Sequence, residues 1–307
     1  MAGALVSAPQ ALAPVDDLRR DRSGRLRSRT LFDRAIAWVL PLLYLVAIIP
    51  ILWLVYYVSL HALPGFTVQV LTTNPSGATG GLYAPLVGSL AILSLATLVS
   101  LLFGFLGGLT TAEYLSERGA GLIRITANVM AGTPAIVVGL FGYIAFVQYF
   151  GWGFSLEAAS VTLGVFMSPY VFRATDLAYA SVPPHIREAA LGSGARPLQY
   201  LLRVATPIAF PQILSGIFLA MAIGVGETAP LVMTTHLVNL PPLGLNQPAS
   251  ALPLYIWSGF QTGYILPSAI RLAFQAAFLL LAIVVGLNIL VRIIAARARR
   301  RLEGLFQ

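Results

Sequence analysis

The chain has 307 residues, 58% of them hydrophobic and only 10% charged, at a formal net charge of +8. A soluble domain carries about a quarter charged residues, so this balance, with a mean hydropathy of +0.83, excludes a soluble enzyme and reads as a multi-span membrane protein. All 19 basic residues are arginine, and lysine and cysteine are absent. A lysine-containing phosphate loop for ATP, a disulfide framework and thiolate chemistry are thereby excluded.

Residues 1–30 start small and polar and turn basic from Asp16 to Arg29. They read as a disordered cytoplasmic tail, because a signal peptide would set its charges ahead of a short apolar core. A bilayer core takes about 20 mainly apolar residues in a helix. On that measure six spans follow, at 35–60, 85–112, 125–150, 158–180, 207–235 and 267–296, giving an all-α membrane protein. Residues 31–84 hold the first span and an external loop, 85–296 the other five spans, and 297–307 a second basic tail. Gly104 and Gly108 in the second span, and Gly139 and Gly142 in the third, are small residues that let helix backbones approach in lipid, so packing is their expected use.

Arginines near span ends stay on the cytoplasmic side. Seven precede residue 35, Arg118 and Arg124 lie between the second and third spans, Arg187, Arg196 and Arg203 between the fourth and fifth, and five run from Arg292 to Arg301. Stretches 61–84, 151–157 and 236–266 contain none. Both termini are therefore expected in the cytoplasm. The basic tails orient the chain and touch anionic membrane lipid, so the net charge calls for no nucleic acid partner. His61, His185 and His236 are too scattered to form a metal-binding helix face, and neither a metal site nor a catalytic residue is expected.

Residues 183–207 read PPHIREAALGSGARPLQYLLRVATP, nearly long enough to cross a bilayer but too charged to do so. Pro183 and Pro184 suit the start of a short helix that stops at Gly192 to Gly194, and Pro197 suits the start of another. Periodicity leaves two readings open: a protruding cytoplasmic feature, or a helix pair lying on the membrane surface.

Within this loop stand Glu188-Ala189-Ala190, Gly194 and, nine residues later, Val204-Ala205-Thr206-Pro207. The pattern resembles the E-A-A-x-x-x-G…I-x-L-P motif of ABC importer permeases, with Val204 and Thr206 standing in for Ile and Leu. The resemblance implies the six-span MetI-like permease domain over 85–296, with 183–207 as the coupling loop. It also implies docking of a partner ATPase through Arg187, Glu188, Ala189, Ala190 and Gly194. ATP and magnesium would then belong to that partner, and no cofactor to this chain. Two more segments, GTPAIVVGLF (132–141) and GETAPL (226–231), resemble the phosphate permease subunits of this family. The partners so implied are a homologous PstC-like permease, two PstB-like ATPases, an external PstS-like binding protein and inorganic phosphate.

An ionisable group at membrane depth is costly and is a functional candidate by default. Glu227 lies in GVGETAP (224–230), where Gly224 and Gly226 weaken a helix and Pro230 removes a donor, so a helix break is expected there. Glu227, with Thr228, is read as a pathway or gate residue; a structural carboxylate tied to backbone donors or to a neighbouring subunit's Arg is the other reading. Arg173 and Asp176, three apart, share a helix face and read either as an intrahelical ion pair or, for Arg173, as a planar fork that draws phosphate inward. Relatives often carry an Arg at the position of Ile223; here it is missing, which leaves the charge answering Glu227 open.

The expected function is an importer subunit moving phosphate by alternating access across a bacterial or archaeal cytoplasmic membrane. One alternative is the same architecture carrying molybdate, tungstate or sulfate. A remoter one is a membrane-embedded enzyme using Glu227 and Asp176 as acid and base.

Overall fold

The structure, a computed structural model, describes residues 15–76, 79–263, 265 and 267–303. The chain divides into two compact units, one ending at Tyr57 and one beginning at Val58. The first unit is the body of helix α1, Val15–Ala62, which contains Pro41 and Pro50. Its apolar side chains lie open from Trp38, 80% exposed, to Tyr57, and an apolar surface of that length belongs in lipid or against another chain. Residues 15–30, expected as part of a disordered tail, are helical here. Their acids precede arginines by four positions at Asp16 and Arg20 and at Asp21 and Arg25, a spacing that favours helix. Residues 1–14 lie outside the described residues.

The second unit opens with the last turn of α1, where the His61 ring stacks on Phe274 at 4.8 Å. The stretch read as a loop holds a short helix α2, Val68–Thr72, and a two-residue hairpin, β1 (Pro75–Ser76) paired antiparallel to β2 (Thr79–Gly80). Helix α3 (Tyr83–Ser100) passes through a π turn at Leu101–Phe105 into α4 (Leu106–Glu113). Then come α5 (Glu117–Gly132), α6 (Ala135–Gly142) with its π-helical extension Tyr143–Tyr149, and α7 (Leu156–Ala180). After the short helices α8 (Pro184–Gly192) and α9 (Pro197–Tyr200), a π turn at Leu201–Ala205 leads into α10 (Thr206–Gly226). The unit closes with α11 (Ala229–Thr234), α12 (Leu252–Thr262) and α13 (Pro267–Glu303).

Six straight spans are not what this gives. Among the described residues four helical stretches are long and apolar enough to cross a membrane: Ala37–Ala62, Tyr83–Glu113, Pro197–Gly226 and Pro267–Arg297. A fifth appears if Glu117–Gly132 and Ala135–Tyr149 count as one span, yet they meet at 98°. The bend follows from Pro134, which lacks an amide donor and drives Thr133 out of the helical region, to ψ 129°. Helix α7 has 25 residues but is too polar to join the set. One arginine, Arg271, lies near the start of α13, outside the stretches counted above.

Helix α7 is polar because it is the hub. It packs against α3, α4, α5, α6, α10 and α11, so protein rather than lipid covers most of it. Two of its hydroxyls are satisfied locally, Thr162 and Ser168 each donating to the carbonyl four residues back at 2.7 Å, while the buried hydroxyls of Ser160 and Thr175 have no hydrogen-bond partner among the described residues. A β-carbon on Gly104 would lie 2.6 Å from the Ser168 carbonyl oxygen, and one on Gly108 would lie 2.7 Å from that of Phe172. The small-residue pair thus seats α4 and its π turn on α7, the packing use expected of it.

The start of α7 is tied to the end of α11 and to the loop that follows it. The backbone N–H groups of Ser155, Leu156 and Glu157 donate to the carbonyls of Thr234, Gln247 and Leu245 at 3.2, 2.7 and 3.0 Å. These are the orphan donors of a helix N-terminus. The loop is fastened in turn by Thr235 Oγ1, which donates to the Ala249 carbonyl and accepts from the Ala249 N–H, both at 3.0 Å. Ser89 Oγ accepts from the Leu252 N–H at 2.7 Å.

Candidate functional site

The loop 183–207 folds as two short helices, the first opening at Pro184 and ending at Gly192, the second opening at Pro197. The second helix is capped by the Gln199 side chain, whose oxygen accepts from the Arg196 N–H at 2.9 Å. No residue of α8 is buried. Glu188, Ala189 and Gly194 lie open, with Leu191, Leu198 and Leu202 exposed beside them. Ala190 turns inward, against a cluster that includes Tyr179, Tyr200, Leu201 and Ala205. Gly194 has φ +90° with nothing near its missing side chain, so glycine is needed there for the turn's backbone. Arg187 does not point freely outward: its guanidinium lies 3.2 Å from Glu113 at the end of α4 and 5.6 Å over the Tyr200 ring. Glu113 and Tyr200 carry no motif, and sequence reasoning missed them.

The fourth-span charges do not form the intrahelical pair that their spacing allows. Asp176, buried on α7, pairs with Arg124 of α5, Nε and Nη2 each donating to one carboxylate oxygen at 2.8 Å. That planar two-point match is the geometry arginine makes with a carboxylate. The intrahelical Arg173–Asp176 pair is therefore absent, and Arg173 has no ion pair among the described residues. It lies exposed on the wall of an open cleft of about 400 Å³ lined with Arg124, Asn128, Phe172, Asp176, Leu177 and Ala180. With Asp176 neutralised, the free charge of that cleft is Arg173, on walls that also offer the Asn128 amide.

Glu227 occupies a gap between two helices. Helix α10 ends at Gly226, Glu227 is extended at φ −73° and ψ 127° with its N–H on the Gly224 carbonyl at 3.2 Å, and α11 begins at Ala229 with Pro230 in its first turn. Glu227 and Thr228 are half-buried, and Glu227 is not among the walls of the Arg173 cleft. Gly224 serves another purpose than the weakening expected of it: a β-carbon there would lie 2.5 Å from Met167 Sδ, so it seats α10 on α7. Ile223 packs on the main core cluster. Pro230 and Ala229 press against α6, where a β-carbon on Gly139 would lie 2.9 Å from Pro230 Cα and 3.0 Å from the Ala229 oxygen. The two segments singled out far apart in the sequence, GTPAIVVGLF and GETAPL, thus meet as two half-helices, each following a break.

The fold matches that of a chain in a solved ABC transporter. A solved structure titled as inward-facing conformations of the MetNI methionine ABC transporter superposes with a TM-score of 0.58 at 20% identity, covering 71% of this chain and 95% of that one. Residues 104–302 match the family described as binding-protein-dependent transport system inner membrane component. The Phosphate transport system permease protein PstA 2 of Mycobacterium bovis is 35% identical over 258 residues, 83% of this chain and 85% of the relative. The Probable phosphate transport system permease protein PstA of Methanocaldococcus jannaschii is 30% identical over 266 residues, 86% and 94% of the two chains. The class is that of ABC importer permeases, transport subunits and not enzymes. The chain belongs to the binding-protein-dependent transport inner membrane components, on the PstA line of that family.

Proposed function

We propose that this chain is the phosphate-conducting subunit of an ATP-driven importer, inserted six times in the cytoplasmic membrane with both termini inside. It would pair with a homologous permease, receive phosphate from an external binding protein and be driven by two cytoplasmic ATPases that carry the ATP and magnesium. The observation that carries this reading is the exposed Glu188–Gly194 turn, in a chain resembling PstA proteins over four-fifths of its length. In alternating access, the binding protein and ATP must favour different states, since a ligand shifts an equilibrium only through unequal affinity.

The cleft of Arg173 supports an inner anion station, because a planar guanidinium with a neighbouring amide suits tetrahedral oxyanions. The break at Glu227 supports a gate. A carboxylate there accepts a hydrogen bond from a protonated phosphate oxygen and repels sulfate, which has no proton to give.

The test is uptake by vesicles holding this chain with its partner permease, ATPase and binding protein, challenged side by side with phosphate, molybdate and sulfate. Phosphate accumulation that needs both the ATPase and the binding protein is expected, with Glu227→Gln impairing it while assembly persists. Preference for molybdate or sulfate would reassign the substrate, and a chemically altered product from the isolated chain would reassign the class.

A further inference from the structure

We infer that Glu113 is a positioning residue that, through Arg187, makes α8 move with α4. Glu113 is the last residue of α4 and its side chain is 7% exposed. A carboxylate there is doubly unfavoured, by burial and by the negative end of its own helix. Arg187, 3.2 Å away, is the cation that answers it. On the other side, α8 buries no residue. Among the described residues its one ion pair to another element is Arg187 to Glu113, with the guanidinium backed by the buried Tyr200 ring. Apart from that pair α8 is held by its chain ends, by α9, and by the packing of Ala190 and the Arg187–Tyr200 contact. With the pair, a force applied to the exposed Glu188 face is delivered to the second span as well as to α7 and α10, which the chain already joins to the loop. Glu113 thus makes the loop's displacement a movement of three helices.

This inference rests on the importer reading, so its test has one arm that depends on transport and one that does not. In the assembled transporter, Glu113→Gln should lower phosphate imported per ATP hydrolysed by about tenfold, a coupling of the size contacting residues show. The exchanged pair Glu113→Arg with Arg187→Glu should restore it. An unchanged ratio in Glu113→Gln, or no rescue by the exchange, overturns the inference. The second arm uses the absence of cysteine: spin labels on Leu191→Cys and Thr110→Cys report the distance between α8 and α4 with ATPase bound, before and after ATP. That distance should stay narrow and constant in the otherwise native chain and broaden in Glu113→Gln. Independent movement of α8 and α4 with the pair intact overturns the inference whatever the substrate proves to be, whereas constant spacing in a complex that imports no phosphate overturns only the substrate.

Discussion

Asp176 depends on a residue 52 positions earlier, and that dependence fixes what each arginine nearby does. Removing one partner of a buried pair costs about 3–5 kcal/mol; Arg124 is 44% exposed, so solvent recovers part of this and about 2 kcal/mol is expected for Arg124→Gln. In a protein of this size that lowers the melting temperature in detergent by about 3 °C. Arg173→Gln, which breaks no ion pair, should leave the melting temperature within about 1 °C while slowing phosphate uptake. Equal losses from both substitutions would contradict the assignment of Asp176 to Arg124. The sequence placed Arg173 three residues from Asp176 and made it the obvious partner; Arg124 was legible only as a charge that orients the chain. Helical spacing cannot reveal that α5 lies along α7 at the right height, because that contact is made by packing. The same is true of Glu113, an acid at a helix end whose meaning comes entirely from what folds back onto it.

At the scale of elements, the apolar runs were legible and their straightness was not. Hydropathy over 125–150 and 207–235 is continuous, yet the chain bends at Thr133–Pro134 and stops at Gly226. Pro230 announced a disturbance, whereas the expected third span runs straight through Pro134; both stand at the start of new half-helices, which pack on one another as α6 and α11. The glycines divide accordingly. A β-branched side chain at Gly139 must push against the backbone of Ala229 and Pro230, an overpacking worth about 1–3 kcal/mol. Gly226, despite sitting at the break, has open space around it and a backbone any residue adopts. Gly139→Val should therefore lower both melting temperature and uptake, and Gly226→Ala should leave the melting temperature unchanged. A destabilised Gly226→Ala with a tolerated Gly139→Val would deny that the half-helices are held by close contact.

For the whole molecule, the arginine map and the bent pair make competing statements about topology. If α5 and α6 form one broken crossing, α7 is the fourth of six spans and both termini share a side; if they form a re-entrant loop, the termini separate. The arginines favour the crossing, since Arg118 and Arg124 precede α6 and none lies in 151–157. Cysteine placed singly at Tyr149, which is 83% exposed, should react with an impermeant maleimide from outside intact cells. Cysteine at Arg118 should react only after permeabilisation, and labelling of both from one side would establish the re-entrant form. The backbone bonds that fasten the start of α7 to the end of α11 and the loop after it have a mechanical result. They are made by main-chain groups, so among substitutions only proline at a donor position deletes one, and they pin one end of a helix of 25 residues, about 37 Å long. A tilt of about 5° about the pinned end would carry the stretch of Arg173 and Asp176, about 26–30 Å along the helix, through about 2–3 Å. The end farthest from this anchor is held instead by side chains, through the Asp176–Arg124 pair and the packing of Tyr179 with Tyr200 and Ala205, so any pivoting of the helix is concentrated beside the loop proposed to couple to the ATPase.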